Sequence, residues 1–118
     1  FGSRNHKRSI VKTLIYRKMI GHIFNFLIFL VLGINLRDTQ CGYKLYKKKT
    51  AKFIFSKLKN HGFIHDIELV MLLKSKKINI LELPLKWRHK NNSRLNVFSD
   101  SIKMFLGILL IKLRYTKN

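Results

Sequence analysis

The chain has 118 residues, with 25 Lys or Arg against five Asp or Glu, a formal net charge of +20. That length excludes more than one small domain with a modest core, and that charge favours anionic partners: nucleic acid, lipid head groups or phosphorylated substrates. A hydrophobic share of 47% excludes a disordered basic tail. The single cysteine, Cys41, excludes an internal disulfide and a cysteine-based zinc cluster, and points to a reducing, cytosol-facing location.

The chain opens on Phe1-Gly2-Ser3-Arg4 rather than Met, with no apolar signal-peptide stretch. It reads as a fragment or processed chain, a single partial domain over residues 1–118. Helical spacing begins at Ser9, the expected cap, and runs through Ile10 and Leu14 to Arg17 and Lys18. Met19 to Leu36 is strongly apolar but includes His22, Asn25, Gly33 and Asn35. It is near the minimum length for crossing a bilayer. The preferred reading is a helix half-sunk in a bilayer surface or buried against protein, with basic flanks at the head groups.

Asp38-Thr39-Gln40-Cys41-Gly42-Tyr43-Lys44 follows, the first carboxylate of five in a basic chain. Gly42 to Tyr46 alternates like a short strand. Ala51, Ile54, Phe55 and Leu58 give the next segment one apolar helical face, with Gly62 as its expected left-handed cap. A helix over about 66–76 carries Asp66 and Glu68 in its first turn, where they favour the helix dipole. Leu69, Val70, Leu72 and Leu73 make it apolar nearly all round, so burial is expected. Residues 78–89 alternate as a strand, with Leu81, Leu83, Leu85 and Trp87 on one face and Pro84 marking an edge. Asn91-Asn92-Ser93 reads as a turn. An amphipathic helix over about 97–115 closes the chain, capped by Ser99, with Ile102, Phe105, Leu106, Leu109, Leu110 and Leu113 as its apolar stripe.

Taken in order, Gly2-Ser3-Arg4, the Asp38 to Lys44 stretch, Phe63-Ile64-His65-Asp66-Ile67-Glu68-Leu69, Glu82-Leu83-Pro84-Leu85-Lys86-Trp87 and Asn92-Ser93-Arg94-Leu95 resemble the C-terminal part of family 2 glycosyltransferases acting on polyprenyl phosphates. The Asp38 stretch looks most like the glucosyltransferase branch. The resemblance implies an α/β fold, the C-terminal portion of a GT-A domain with amphipathic helices on the cytosolic membrane face: endoplasmic reticulum in a eukaryote, plasma membrane in a bacterium. It implies a nucleotide-sugar donor, a polyprenyl phosphate acceptor and a divalent metal, Mg or Mn. The family's Asp-x-Asp metal motif is absent from this sequence, so metal ligands and the nucleotide-binding half are expected outside the chain, which alone is expected to be inactive.

An acceptor phosphate is already anionic, so the site needs positioning and charge stabilisation rather than a strong base. The resemblance places Arg4, Arg17 and Arg88 at the acceptor phosphate. It makes Asp38 and Gln40 the catalytic pair, Asp38 orienting a hydroxyl or balancing cations, and gives Asp66 and Glu68 to sugar hydroxyls or to anchoring the Asp38 loop. The histidines show no metal-ligand spacing. Two other classes stay open: a non-catalytic basic peripheral membrane protein, and a basic nucleic-acid module stacking bases on its Phe and Tyr. The continuous apolar segments argue against nucleic acid as the partner.

Overall fold

The computed structural model describes residues 1–89 and 96–116. Helices and two small parallel sheets combine in an α/β arrangement, two strands at the start of the chain pairing with two that follow a run of helices. In order, these are β1 (Gly2–Ser3), β2 (Ile10–Lys12), α1 (Ile15–Leu32), α2 (Lys48–Lys57), a 3-10 turn (Gly62–Ile64), α3 (His65–Ser75), β3 (Leu83–Pro84), β4 (Lys86–Arg88) and α4 (Val97–Thr116).

α3 is the core helix. Ile67, Leu69, Val70, Leu72 and Leu73 are all buried, as its all-round apolar sequence predicts. Around it pack Ile28 and Leu32 of α1, Ile54 of α2, and Ile108 and Ile111 of α4. Each such side chain contributes about 1.5–3 kcal/mol when fully buried. Gly107 lets α4 approach the 3-10 turn: a Cβ there would lie 2.1 Å from Cγ1 of Ile64. α1 ends at Gly33, whose φ of 63° suits a residue without a side chain. The Lys74 ammonium reaches across from α3 to the last α1 carbonyls, Leu32 at 3.0 Å and Gly33 at 2.8 Å. A cation there satisfies orphan acceptors and complements the helix dipole.

The strands form two parallel two-stranded ladders, β1 on β3 and β2 on β4. In effect one strand line is interrupted on its first side by residues 4–9 and on its second by Leu85 alone. Ser9 ties the neck of that excursion: its hydroxyl donates to the Ser3 carbonyl and accepts from the Leu85 amide at 3.0 Å. This corrects the expected helix start. Ser9 caps nothing, Ile10–Lys12 is strand, and the helix begins at Ile15, because pairing with a segment more than 70 positions away overrides the local helical period.

Other boundaries also move. Gly42 to Tyr46 forms no ladder; its alternation is real, but Lys44 and Tyr46 turn inward while Tyr43 and Leu45 are exposed. The expected strand over 78–89 is cut to β3 and β4, with Leu81 and Leu83 left exposed, since each ladder has only one partner strand among the described residues. Gly62 has φ 71° but opens the 3-10 turn instead of ending α2. Ser99 lies inside α4. Its amide faces the Asn96 Oδ1 at 3.5 Å, and the Asn96 amide donates to Asp100 at 3.0 Å, so Asn96 is the cap. The Asn91-Asn92-Ser93 turn and the Ser93-Arg94 motif lie outside the described residues.

α4 has two apolar faces. Met104, Ile108 and Ile111 point inward, whereas Ile102, Phe105, Leu106, Leu109, Leu110 and Leu113, the stripe read from the sequence, face out. α1 likewise exposes Ile15, Met19, Ile23, Phe26, Phe29 and Leu30. By length and composition, α1 is the one helix among the described residues able to cross a membrane.

Candidate functional site

The excursion of residues 4–9 overhangs a cleft of about 570 Å³. Arg4, Asn5, His6 and Lys7 form one wall. Opposite stand Arg17, Lys18, Gly21, His22 and Asn25, one face of α1. Asp38 and Gln40 line the base, Trp87 and His89 one side, and Ser101 and Met104 of α4 another. Four Lys or Arg side chains thus meet one carboxylate in the lining among the described residues.

That carboxylate is held tightly. Arg4 grips Asp38 through two parallel bonds, Nε to Oδ2 at 2.7 Å and Nη2 to Oδ1 at 2.9 Å. The Arg4 amide adds a third bond at 2.9 Å and the Gln40 amide a fourth at 3.2 Å. Asp38 is 2% exposed. Burial pushes its carboxyl up, but the Arg4 hydrogen bonds and charge outweigh this, leaving it below the usual carboxylate range. Its hydrogen bond to Asp38 raises Arg4 above its ordinary value. Asp38 is therefore a fixed anion with its acceptor positions occupied, built as a counterion and poorly placed to take up a proton. The Arg4 guanidinium also lies over the Trp87 ring, 5.5 Å from its centroid.

The backbone beneath is fixed as well. Glu82 accepts the Arg37 amide at 3.0 Å and the Asp38 amide at 3.1 Å. Asn5 and Asn25 both donate to the Arg37 carbonyl, at 2.7 and 2.6 Å. The Gln40 side chain donates to the Phe63 carbonyl at 3.2 Å.

The structure thus brings Arg4, Arg17, Asp38 and Gln40 to one cleft and leaves three other candidates elsewhere. Arg88 is exposed and alternates away from Trp87, outside the cleft lining. Asp66 pairs with Lys44 at 2.8 Å, and Lys44 also donates to the Cys41 carbonyl, so Asp66 secures the stretch that follows Asp38. Glu68 is fully buried at the seam of three helices. It accepts the Lys59 and Asn60 amides at 3.1 and 2.8 Å, Arg114 Nη1 at 3.3 Å and the Tyr115 hydroxyl at 3.1 Å. Burial raises its carboxyl, yet those amide bonds outweigh it and the net shift is downward. Lys7 and Lys18 are cleft residues that the sequence reading left among the general basic residues; no local pattern separates them from the other cations. No group of three or more His, Cys, Asp or Glu suited to a metal occurs among the described residues.

Over nearly all of its length the chain that forms this cationic cleft is similar to glycosyltransferases, the class that its motifs resemble. The particular relatives are dolichyl-phosphate beta-glucosyltransferases. The chain is 34% identical to that of Saccharomyces cerevisiae and 34% to that of Homo sapiens, each match covering 97% of this chain, and 35% and 36% of those proteins. It is 32% identical to that of Dictyostelium discoideum, again over 97% of this chain and 36% of the relative. The chain spans about a third of the length of these curated relatives. No family model matches the chain, and no solved structure does.

Proposed function

We propose that the cleft seats the phosphate of a polyprenyl phosphate, and that the full-length protein transfers a hexose, glucose by the names of its relatives, from a nucleotide sugar to that phosphate. The observation carrying this reading is the Arg4–Asp38 pair at the edge of a cleft also lined by Lys7, Arg17 and Lys18. In the transfer, an acceptor phosphate oxygen forms the new bond to the anomeric carbon. The bond from that carbon to the donor's diphosphate breaks, and the diphosphate leaves with the electron pair. No proton need be removed from the acceptor. Lys7, Arg17 and Lys18 attract and hold the phosphate, while Asp38 takes the Nε/Nη2 edge of the Arg4 guanidinium and leaves its Nη1/Nη2 edge for phosphate oxygens. Gln40, tied to Phe63, keeps the base of the cleft rigid.

The same reading makes the chain part of a GT-A domain whose Mg or Mn ligands and nucleotide site come from residues beyond it. The outward apolar faces of α1 and α4, flanked by Lys12, Lys18, Lys103, Lys112 and Arg114, suit an anionic membrane surface on its cytosolic side. That side belongs to the endoplasmic reticulum in a eukaryote. Co-sedimentation of the full-length protein with anionic vesicles, set against a nucleic-acid shift assay across a salt series, tests the partner. Vesicle binding is expected; tight nucleic-acid binding without lipid association would overturn the reading.

A further inference from the structure

Two contacts hold the Arg4 guanidinium, and they act on different axes. Asp38 takes the Nε/Nη2 edge, at 2.7 and 2.9 Å, and so sets where the group points within its own plane. Hydrogen bonds to a carboxylate tolerate a broad range out of plane, so this pair leaves the tilt soft. The second contact falls on the face: Cζ of Arg4 lies 5.5 Å from the centroid of the Trp87 ring, a cation–π distance. Trp87 is itself held. It sits on β4 opposite Val11 of β2, beside the His89 ring at 5.9 Å, and the His89 amide donates to the Lys12 carbonyl at 2.9 Å. Ser9 joins the two sides. Its hydroxyl donates to the Ser3 carbonyl, one residue before Arg4, and accepts from the Leu85 amide, two residues before Trp87.

Packing alone does not call for an indole at this position. Trp87 stands apart from the apolar side chains gathered around α3 and lines the cleft instead. An aliphatic side chain would fill the same half-buried space next to Val11, but only an aromatic face carries the negative potential that holds a cation above it. We infer that Trp87 is a positioning residue for the transfer: its ring sets the tilt of the Arg4 guanidinium, so that the Nη1/Nη2 edge left by Asp38 meets the acceptor phosphate as the new bond forms. This rests on the phosphate reading of the cleft. It adds that charge stabilisation there depends on an aromatic face as well as on a counterion. Loss of that face costs rate more than affinity, because Lys7, Arg17 and Lys18 still attract the phosphate while Arg4 is misaimed.

The test is steady-state transfer of glucose from a nucleoside diphosphate glucose to farnesyl phosphate by the full-length protein. Trp87→Leu should lower kcat at least about 5-fold, Trp87→Phe should keep it within about 3-fold, and KM for farnesyl phosphate should change less than about 2-fold in both. Trp87 replaced in turn by mono-, di- and trifluorinated tryptophan keeps its shape while its face loses negative potential, so kcat should fall stepwise along that series. The fluorinated series also stands if Trp87→Leu fails to fold, which thermal unfolding checks. In an Arg4→Ala background, Trp87→Leu should lower kcat no further. A flat fluorinated series, or an equal loss from Trp87→Leu with and without Arg4, overturns the role of Trp87 and leaves the phosphate reading standing. Full kcat and unchanged KM in Arg4→Ala alone overturns the phosphate reading of the Arg4 edge, and the role of Trp87 with it.

Discussion

Asp38 and Glu68 are both buried carboxylates, and each accepts four donors. Their surroundings differ. The charged partner of Asp38, Arg4, stands at a cleft with a third of its side chain exposed. Glu68 is enclosed by the α2–α3 connection and the end of α4, and is not part of the cleft lining. Two acids with nearly the same local chemistry therefore do different work: one aims a guanidinium, the other fastens helices. Burial and hydrogen-bond number do not tell them apart; what lies on the other side of the partner does.

The largest effect that separates them is on stability. Glu68→Ala strands two backbone amides, a tyrosine hydroxyl and an arginine, and should cost about 3–5 kcal/mol in chemical denaturation. A loss below about 1 kcal/mol would show that the seam does not need its anion. The same seam can be stressed without touching charge. Gly107→Ala drives a methyl into Ile64 and should cost about 1–3 kcal/mol by the same measurement; no loss would mean that α4 is not held close to the 3-10 turn.

Acid should affect both regions together. Both carboxyls titrate below their ordinary range when folded, so the stability each supplies is complete above the unfolded value of about 4 and is lost as pH falls below it. Asp38→Asn and Glu68→Gln should each shallow the acid limb of a stability–pH curve, and an unchanged limb in either variant would remove that carboxylate from the linkage. At the alkaline end Tyr46 and Tyr115, pushed up to about 12 mainly by burial, lose stability as pH rises from 10. The smallest effect lies beside Asp38. The Thr39 hydroxyl is fully buried without a partner, so Thr39→Val should be neutral or stabilise by up to about 1 kcal/mol. Destabilisation would reveal a bond to that hydroxyl.

Much of the helical frame was legible in the sequence. The apolar surround of α3 and the extent of α4 follow from periodicity; on α2 Ile54 is buried as expected, but Phe55 of the expected face is exposed, Leu58 lies past the helix end and Phe53 packs on the core instead. Asp38 and Arg4 were legible only as members of an ordered set of motifs, and Arg17 only by its position in the pattern that those motifs resemble. The excursion of residues 4–9 was not, because it exists only when Ser9 meets Leu85, and no window of local sequence contains both. For the same reason Lys7 and Lys18 stayed hidden among 25 cations. The strand over 78–89 was overextended because alternation records which side chains could face a core. It does not record whether a second strand arrives to pair.

The difference between the two acids is tested most directly by the kinetics of Asp38→Asn in the full-length protein. With Asp38 as counterion and aim for Arg4, kcat should fall by about 100-fold or more. KM for the lipid phosphate should stay level or drop, since the cleft gains net positive charge. Full kcat in that variant, or a raised KM with kcat unchanged, would contradict the assignment of Asp38 to the positioning of Arg4.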